Sequence, residues 1–266
     1  MAKASETPVI GEPPVPPVPQ PPQTETVPYD PVIEPATPAV PTVRIVQNLP
    51  PKGRARYSVS KGERGLLIGQ SEHEWEHADG QYHLRSTTET VGLAALFKPV
   101  RVIQESRGTI DALGLHPQSF RNEQVKRTDS AAIDRAAKKV RNGDREDDLG
   151  AWLGTVQDML SMYYQLNMIA AGLSGASPDA TPGIDLPIVT GRKLAMYHFD
   201  VRGRERLNNA QFDLDAVRVR ALNGEDVIDF WFAPELSFLP LRMRFVDRKG
   251  DVFDQWIDEN SLGKKP

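Results

Sequence analysis

The 266-residue chain contains no cysteine, which excludes disulfides, thiol nucleophiles and thiolate metal sites and is compatible with any compartment. It lacks an apolar run of the roughly 18 residues that a transmembrane helix needs. The opening MAKASETPV has none of the apolar core of a signal peptide. The expected location is the periplasm or cell envelope if an export or membrane segment precedes this sequence, and otherwise the cytoplasm. Neither G-x-G-x-x-G nor a Walker loop occurs and there is no βαβ rhythm, so nucleotide-binding α/β folds are excluded. A net charge of −4 gives no bulk attraction to nucleic acid or to acidic membrane.

Proline is abundant but badly distributed. Fifteen of the 23 prolines lie in residues 1–51, where GEPPVPPVPQPPQTETVPYDPVIEPATPAVP shows no amphipathic period. Proline removes backbone donors and biases a chain to polyproline II. Residues 1–52 therefore read as an extended, disordered spacer, able to hold a domain away from an upstream membrane anchor. Residues 53–262 read as a single β-rich domain.

From residue 53 the pattern is alternation at period 2, broken by turn signals. ARYSVSKG is a strand, and LLIGQSEHEWEHADGQYHLRSTTET a hairpin turning at Ala78-Asp79-Gly80-Gln81. VRVIQESRGTIDALG and PQSFRNEQVKR are strands joined near Leu115-His116-Pro117. In 128–150, SAAIDRAAKKVRN has helical propensity while NGD signals a hairpin, so helix and hairpin both stand. TVQDMLSMYYQLNMIAAG is the one good helix, with Met159, Leu160, Tyr163, Leu166 and Ile169 on one apolar face and Gly172 as C-cap. GASPDATPG is a loop. The C-terminal third is a strand meander, with turns at Asn223-Gly224 and Lys249-Gly250. The expected fold is mainly β (α+β): a large curved antiparallel sheet, or a partly open β-barrel, packed around one helix.

One string carries a catalytic signature. HEWEHADGQYH, residues 73–83, fits H-E-x-x-H-x-x-G-x-x-H, with His73, His77 and His83 as zinc ligands and Glu74 as general base. That chemistry needs a helix, which sets i and i+4 about 6 Å apart on one face. Here the flanks alternate as a strand, on which i and i+4 are about 13 Å apart and Glu74 faces away from both histidines. The string reads as two strands and a turn, and the zinc hydrolase is retained only as the alternative.

Three surfaces remain as binding candidates. In ETVGLAALFKPVR, Leu93, Leu96 and Phe97 form a small-residue loop or single helical turn, either plugging the open end of the sheet or acting as a lid over an apolar cavity. Arginine recurs at alternate positions: Arg202, Arg204 and Arg206, then Arg218 and Arg220, then Arg242 and Arg244. Either cross-strand acids such as Asp213, Asp229 and Asp247 neutralise this face, or it docks an anionic component. Trp231 and Trp256 belong to the core or its rim, or make a stacking platform for sugar rings. No nucleophile, base and orienter come together, and no cofactor motif occurs.

ARYSVSKGERGLLIGQSEHEW, YHLRSTTETVGLAALFKPVRVIQESRGTI, GLHPQSFRNEQ and FWFAPELSFLPLRMRFVDRKGDVFDQWI, in this order, resemble the bacterial domain of unknown function 3108 family over about residues 54–258. The resemblance implies a β-rich, exported cell-envelope protein with no established reaction, and strands rather than a helix in 128–150. The function expected is non-enzymatic: binding an apolar or amphipathic ligand, a lipid or polysaccharide envelope component, or a partner protein in the periplasm. A purely structural scaffold is the third alternative.

Overall fold

The computed structural model describes residues 45–261, apart from 98, 174–182, 225 and 248. The proline-rich reading of residues 1–44, the GASPDATPG loop and the chain end beyond 261 lie outside these. The chain divides into Met1–Ala39 and Val40–Pro266. Residues 45–51, grouped by composition with the spacer, belong to the second unit. Leu49 is buried, the Pro50 carbonyl accepts the Trp75 indole N–H at 3.0 Å, and Val46 N–H donates to the Met168 carbonyl at 3.2 Å.

Fifteen strands form one sheet. In chain order they are β1 (Lys52–Lys61), β2 (Leu66–Ala78), β3 (Gln81–Thr90), β4 (Arg101–Asp111), β5 (Gly114–Gln124), β6 (Arg127–Asp134), β7 (Lys139–Asn142), β8 (Arg145–Asp148), β9 (Gln157–Asp158), β10 (Ile184–Val189), β11 (Leu194–Asn208), β12 (Asp213–Asn223), β13 (Asp226–Phe232), β14 (Pro240–Val246) and β15 (Val252–Ile257). Among the described residues two α-helices accompany them, α1 (Gly92–Phe97) and α2 (Ser161–Gly172). The first strand pairs with the last, Tyr57 opposite Ile257, so β1 and β15 sit at the centre. One meander runs outward from β1 to β8 and the other from β15 to β9. Every pairing is antiparallel except β9 with β10. The expected mainly-β class, curled on one helix, is what forms.

Turn chemistry sets the registers. Asp79 and Gly80 both take positive φ, 52° and 72°, the backbone of a two-residue hairpin turn whose twist matches its strands. The contested 128–150 region is hairpins, not helix. Ile133 pairs with Val140, and Gly143 at φ 59° turns Asn142 back onto Arg145. Within these strands burial falls on alternate residues, Ala131 and Ile133, then Val140 and Asn142, the period of a strand rather than a helix. The turn expected near Leu115-His116-Pro117 lies at Ala112-Leu113 instead, since Asp111 pairs with Gly114. Pro117 is accommodated inside β5 by a register shift beside Gly108, where a strand tolerates the missing N–H.

Helix α2 differs from the expectation of one apolar face. Ser161, Met162, Tyr164, Gln165, Leu166, Asn167, Met168, Ile169 and Ala170 are all buried, so the sheet surrounds it. Met159 and Leu160 precede it. Its start is held by Asp158, whose Oδ1 accepts from Leu160 N–H at 2.8 Å and Ser161 N–H at 2.7 Å, while Ser161 Oγ accepts from Asp158 N–H at 2.9 Å. Side chains, not ladder bonds, tie the two wings together across the helix. Gln157 donates to the Leu115 carbonyl at 2.9 Å, Leu115 N–H donates to Gln165 Oε1 at 2.8 Å, and Ser106 Oγ donates to Asp158 Oδ2 at 2.5 Å. The sheet thus curls without closing.

Candidate functional site

The histidine string is a hairpin. His73 and Trp75 face inward and are buried, and His77 shares their strand parity, its Nε2–H donating to the Leu49 carbonyl at 3.2 Å. His83 lies on the opposite face of β3, its Nδ1 3.8 Å from Glu76, because the inward residues there are Tyr82 and Leu84. The three zinc ligands proposed from spacing therefore do not converge. Among the described residues no group of three or more histidine or acidic side chains is arranged to hold a metal. His73 sits between the rings of Tyr57 at 5.1 Å and Tyr163 at 5.8 Å, and burial pushes its pKa down to about 4, so it is a neutral core residue.

The outer face of the C-terminal strands is an ordered ladder. Cross-strand register lines up Arg218, Trp231, Arg242 and Trp256 on β12 to β15. The guanidinium of Arg218 lies 5.0 Å from the Trp231 ring, and that of Arg242 lies 4.8 Å from Trp231 and 5.1 Å from Trp256. Every cation in the ladder also has an acid. Asp229 accepts from Arg218 at 3.0 and 3.1 Å and from Arg220 at 2.9 Å twice. Asp254 takes both donors of Arg242 at 2.9 and 2.6 Å, and Glu63 accepts from Arg244 at 2.6 Å. Burial works to raise the Asp229 carboxyl, but its two arginines outweigh it and hold it below the usual range. This face is internally neutralised.

The N-terminal part of the arginine pattern is broken by a bulge. Val201 pairs with Val219, but Gly203 pairs with Arg218, so the alternation shifts at Arg202. Arg202 bonds Asp200 at 2.9 Å, whereas Arg204 lies opposite the inward Val217 and Arg206 pairs with Asp213 at 2.8 Å. Arg204 and Arg206 therefore leave the ladder face. Glu205 does, bonding Arg218 and the Trp231 indole, each at 2.7 Å. Sequence reasoning missed Glu205 because a one-residue bulge inverts every side chain after it.

The GLAALF segment is helix α1, but it plugs nothing. None of its residues is buried, and Leu93, Leu96 and Phe97 are 75%, 77% and 87% exposed. The expectation that it fills the open end as core is wrong, because the interior is already occupied by α2.

The interior does have an opening. A cleft of about 870 Å³ is lined by Gln104, Asn122, Arg127, Asp129 and Arg145 from one side, and by Met159, Thr190, Arg192, Lys193, Tyr197, Asn223 and Asp226 from the other. The wall residues carry inward parity past the end of the packed core. Gln104 follows Ser106 on β4, Asn122 follows Phe120 on β5, Asp129 and Arg127 continue Ala131 and Ile133 on β6, and Tyr197 continues Phe199 on β11. A side chain at Gly191 would meet Asp129 at 3.2 Å, which shows how closely the β10–β11 turn approaches β6. Arg127 pairs with Asp129 at 3.0 Å and Arg145 with Asp147 at 3.1 Å. Arg192 and Lys193 are exposed and make no ion pair among the described residues. The sequence signal for this mouth was polar residues at the inward positions of otherwise apolar strands, legible only once the registers are known.

One sheet curled on a buried helix, side-chain-tied across its seam and open at one polar end, defines a β-barrel-like protein with a filled interior. Residues 56–254 match the family described as protein of unknown function (DUF3108), and the chain belongs to that family. Among solved structures it is similar to a β-barrel-like protein of domain of unknown function DUF1849 from Brucella abortus, at 14% identity and a TM-score of 0.49, covering 78% of this chain and 95% of that one. No curated protein matches it. Among the described residues no helix is long and apolar enough to cross a membrane.

Proposed function

We propose that this chain is a non-enzymatic cell-envelope protein whose polar mouth holds an anionic envelope component, a polysaccharide or a lipid head group. The observation that carries this is the polar lining at the open end of the sheet: Arg127 and Arg145 are paired with Asp129 and Asp147, while Arg192 and Lys193 of the β10–β11 turn make no ion pair among the described residues, beside the amides of Gln104, Asn122 and Asn223. An interior built only for stability would be apolar there, since polar side chains on the concave face lose burial without gaining a core partner. The outer arginine face is a poorer candidate, because its guanidinium groups are already saturated by Asp229, Asp254, Glu63 and Glu205. An apolar carrier role is weaker too, because α2 fills the space a lipid tail would need.

Calorimetric titration with oligogalacturonate and with glycerol phosphate tests the reading and separates the two sources. Binding of either is expected to weaken with added salt and to fall at least tenfold in the Arg192→Ala/Lys193→Ala variant, whose exposed turn leaves the core untouched. No heat with either probe at millimolar concentration, or equal affinity in the variant, overturns it. Fractionation of native cells tests the location: recovery in the cytosol alone would overturn the envelope assignment.

A further inference from the structure

The apolar helix α1 belongs to neither the core nor the mouth. It interrupts what would otherwise be a tight β3–β4 hairpin. Thr90 N–H donates to the Val100 carbonyl at 3.0 Å and Val100 N–H donates to Thr90 Oγ1 at 2.9 Å, closing residues 91–99 into a stalked loop. Val91 N–H bonds the Ile68 carbonyl at 3.0 Å, which sets the loop beside the start of β2, where Leu66 and Leu67 are 69% and 57% exposed. Five large apolar side chains thus stand out from one corner, far more exposed than residues that rim a groove.

An exposed apolar cluster has a cause outside the folded chain. Here the charges beside it choose among causes. Arg64 and Arg101 flank the cluster, both exposed and both without an ion pair among the described residues, and Lys98 follows Phe97 in the sequence. Of the neighbouring acids, Glu63 pairs with Arg244, and Glu89, opposite Arg101 in the ladder, accepts from Gln70 at 2.8 Å and makes no ion pair among the described residues. Protruding leucine and phenylalanine flanked by two arginines without ion pairs match the boundary between acyl chains and anionic head groups, where apolar tips bury and basic side chains stay at the phosphate level.

We propose that α1 with Leu66 and Leu67 is a prong that seats in the surface of an anionic lipid bilayer. It stands at the same end of β4 as Gln104 of the mouth, and it does not depend on the mouth being occupied. Co-sedimentation of the full chain with vesicles tests it. Vesicles of phosphatidylcholine with about a third phosphatidylglycerol are expected to bind the protein at least tenfold better than pure phosphatidylcholine. Leu96→Ser/Phe97→Ser, at exposed positions, is expected to abolish that binding with an unchanged melting temperature. Arg64→Glu/Arg101→Glu is expected to erase the anionic preference. Absence of binding by the unaltered chain, or full binding by the serine variant, overturns the proposal. So does a dimer of the unaltered chain that the serine variant disperses, since the cluster would then be covered by a second copy.

Discussion

His73→Gln is the sharpest probe of the core. The imidazole lies between Tyr57 and Tyr163, 7% exposed, and its pKa is pushed down to about 4 by burial. A lowered histidine pKa means the unfolded chain takes up the proton first. Stability from keeping His73 neutral is therefore complete above the ordinary value of about 6.5 and is lost as pH falls from there towards 4. Integrating the two titrations between pH 7 and pH 5 gives a loss of about 2 kcal/mol from this residue alone. Glutamine cannot titrate and fills similar space. Urea unfolding at both pH values isolates the effect as the gap between the unaltered chain and the variant, since every other group cancels. The gap is expected to shift by about 2 kcal/mol in favour of the variant at pH 5. An unchanged gap would refute the inference that His73 is buried and uncharged.

Asp158 predicts the opposite slope: burial raises its pKa to about 6, the folded chain takes the proton first, and stability is gained as pH falls through 6 towards 3.8. Relative to Asp158→Asn, the unaltered chain should gain about 1 kcal/mol between pH 7 and pH 5 in the same assay. Asp229→Asn leaves Arg218 and Arg220 without their shared carboxylate, and a loss of about 2 kcal/mol is expected in urea unfolding. The Trp231 fluorescence of that variant should also change as its stacked Arg218, left with Glu205 alone, shifts, and an unaltered emission spectrum would contradict the ladder.

Much of this fold was legible from alternation and turns. Asp79-Gly80, Asn223-Gly224 and Lys249-Gly250 mark reversals because their backbones require positive φ or tolerate it, a local property of the residues. The strand reading of residues 71–77 was enough to dissolve the zinc signature, since side-chain direction on a strand follows from geometry alone. Where reading failed, a non-local cause intervened. Met159, Leu160, Tyr163, Leu166 and Ile169 described a one-sided helix, but α2 is buried all round because strands from both wings enclose it. Arg204 was grouped with Arg202 because a bulge leaves no mark in composition. Reading Leu96 and Phe97 as a core plug, one of the two alternatives, failed because hydrophobicity states what a residue prefers, not whether the core still has room.

The residues by themselves determined the class of fold, the family and the alternation that makes one face of each strand apolar, because these rest on neighbours one or two positions apart. The tertiary structure alone decided that the first strand pairs with the last, that Glu205 rather than Arg204 joins the tryptophan ladder, and that inward polar residues from separate strands make a mouth. Those outcomes depend on registers between segments as far apart as Tyr57 and Ile257, and register is a property of the whole sheet rather than of any stretch within it.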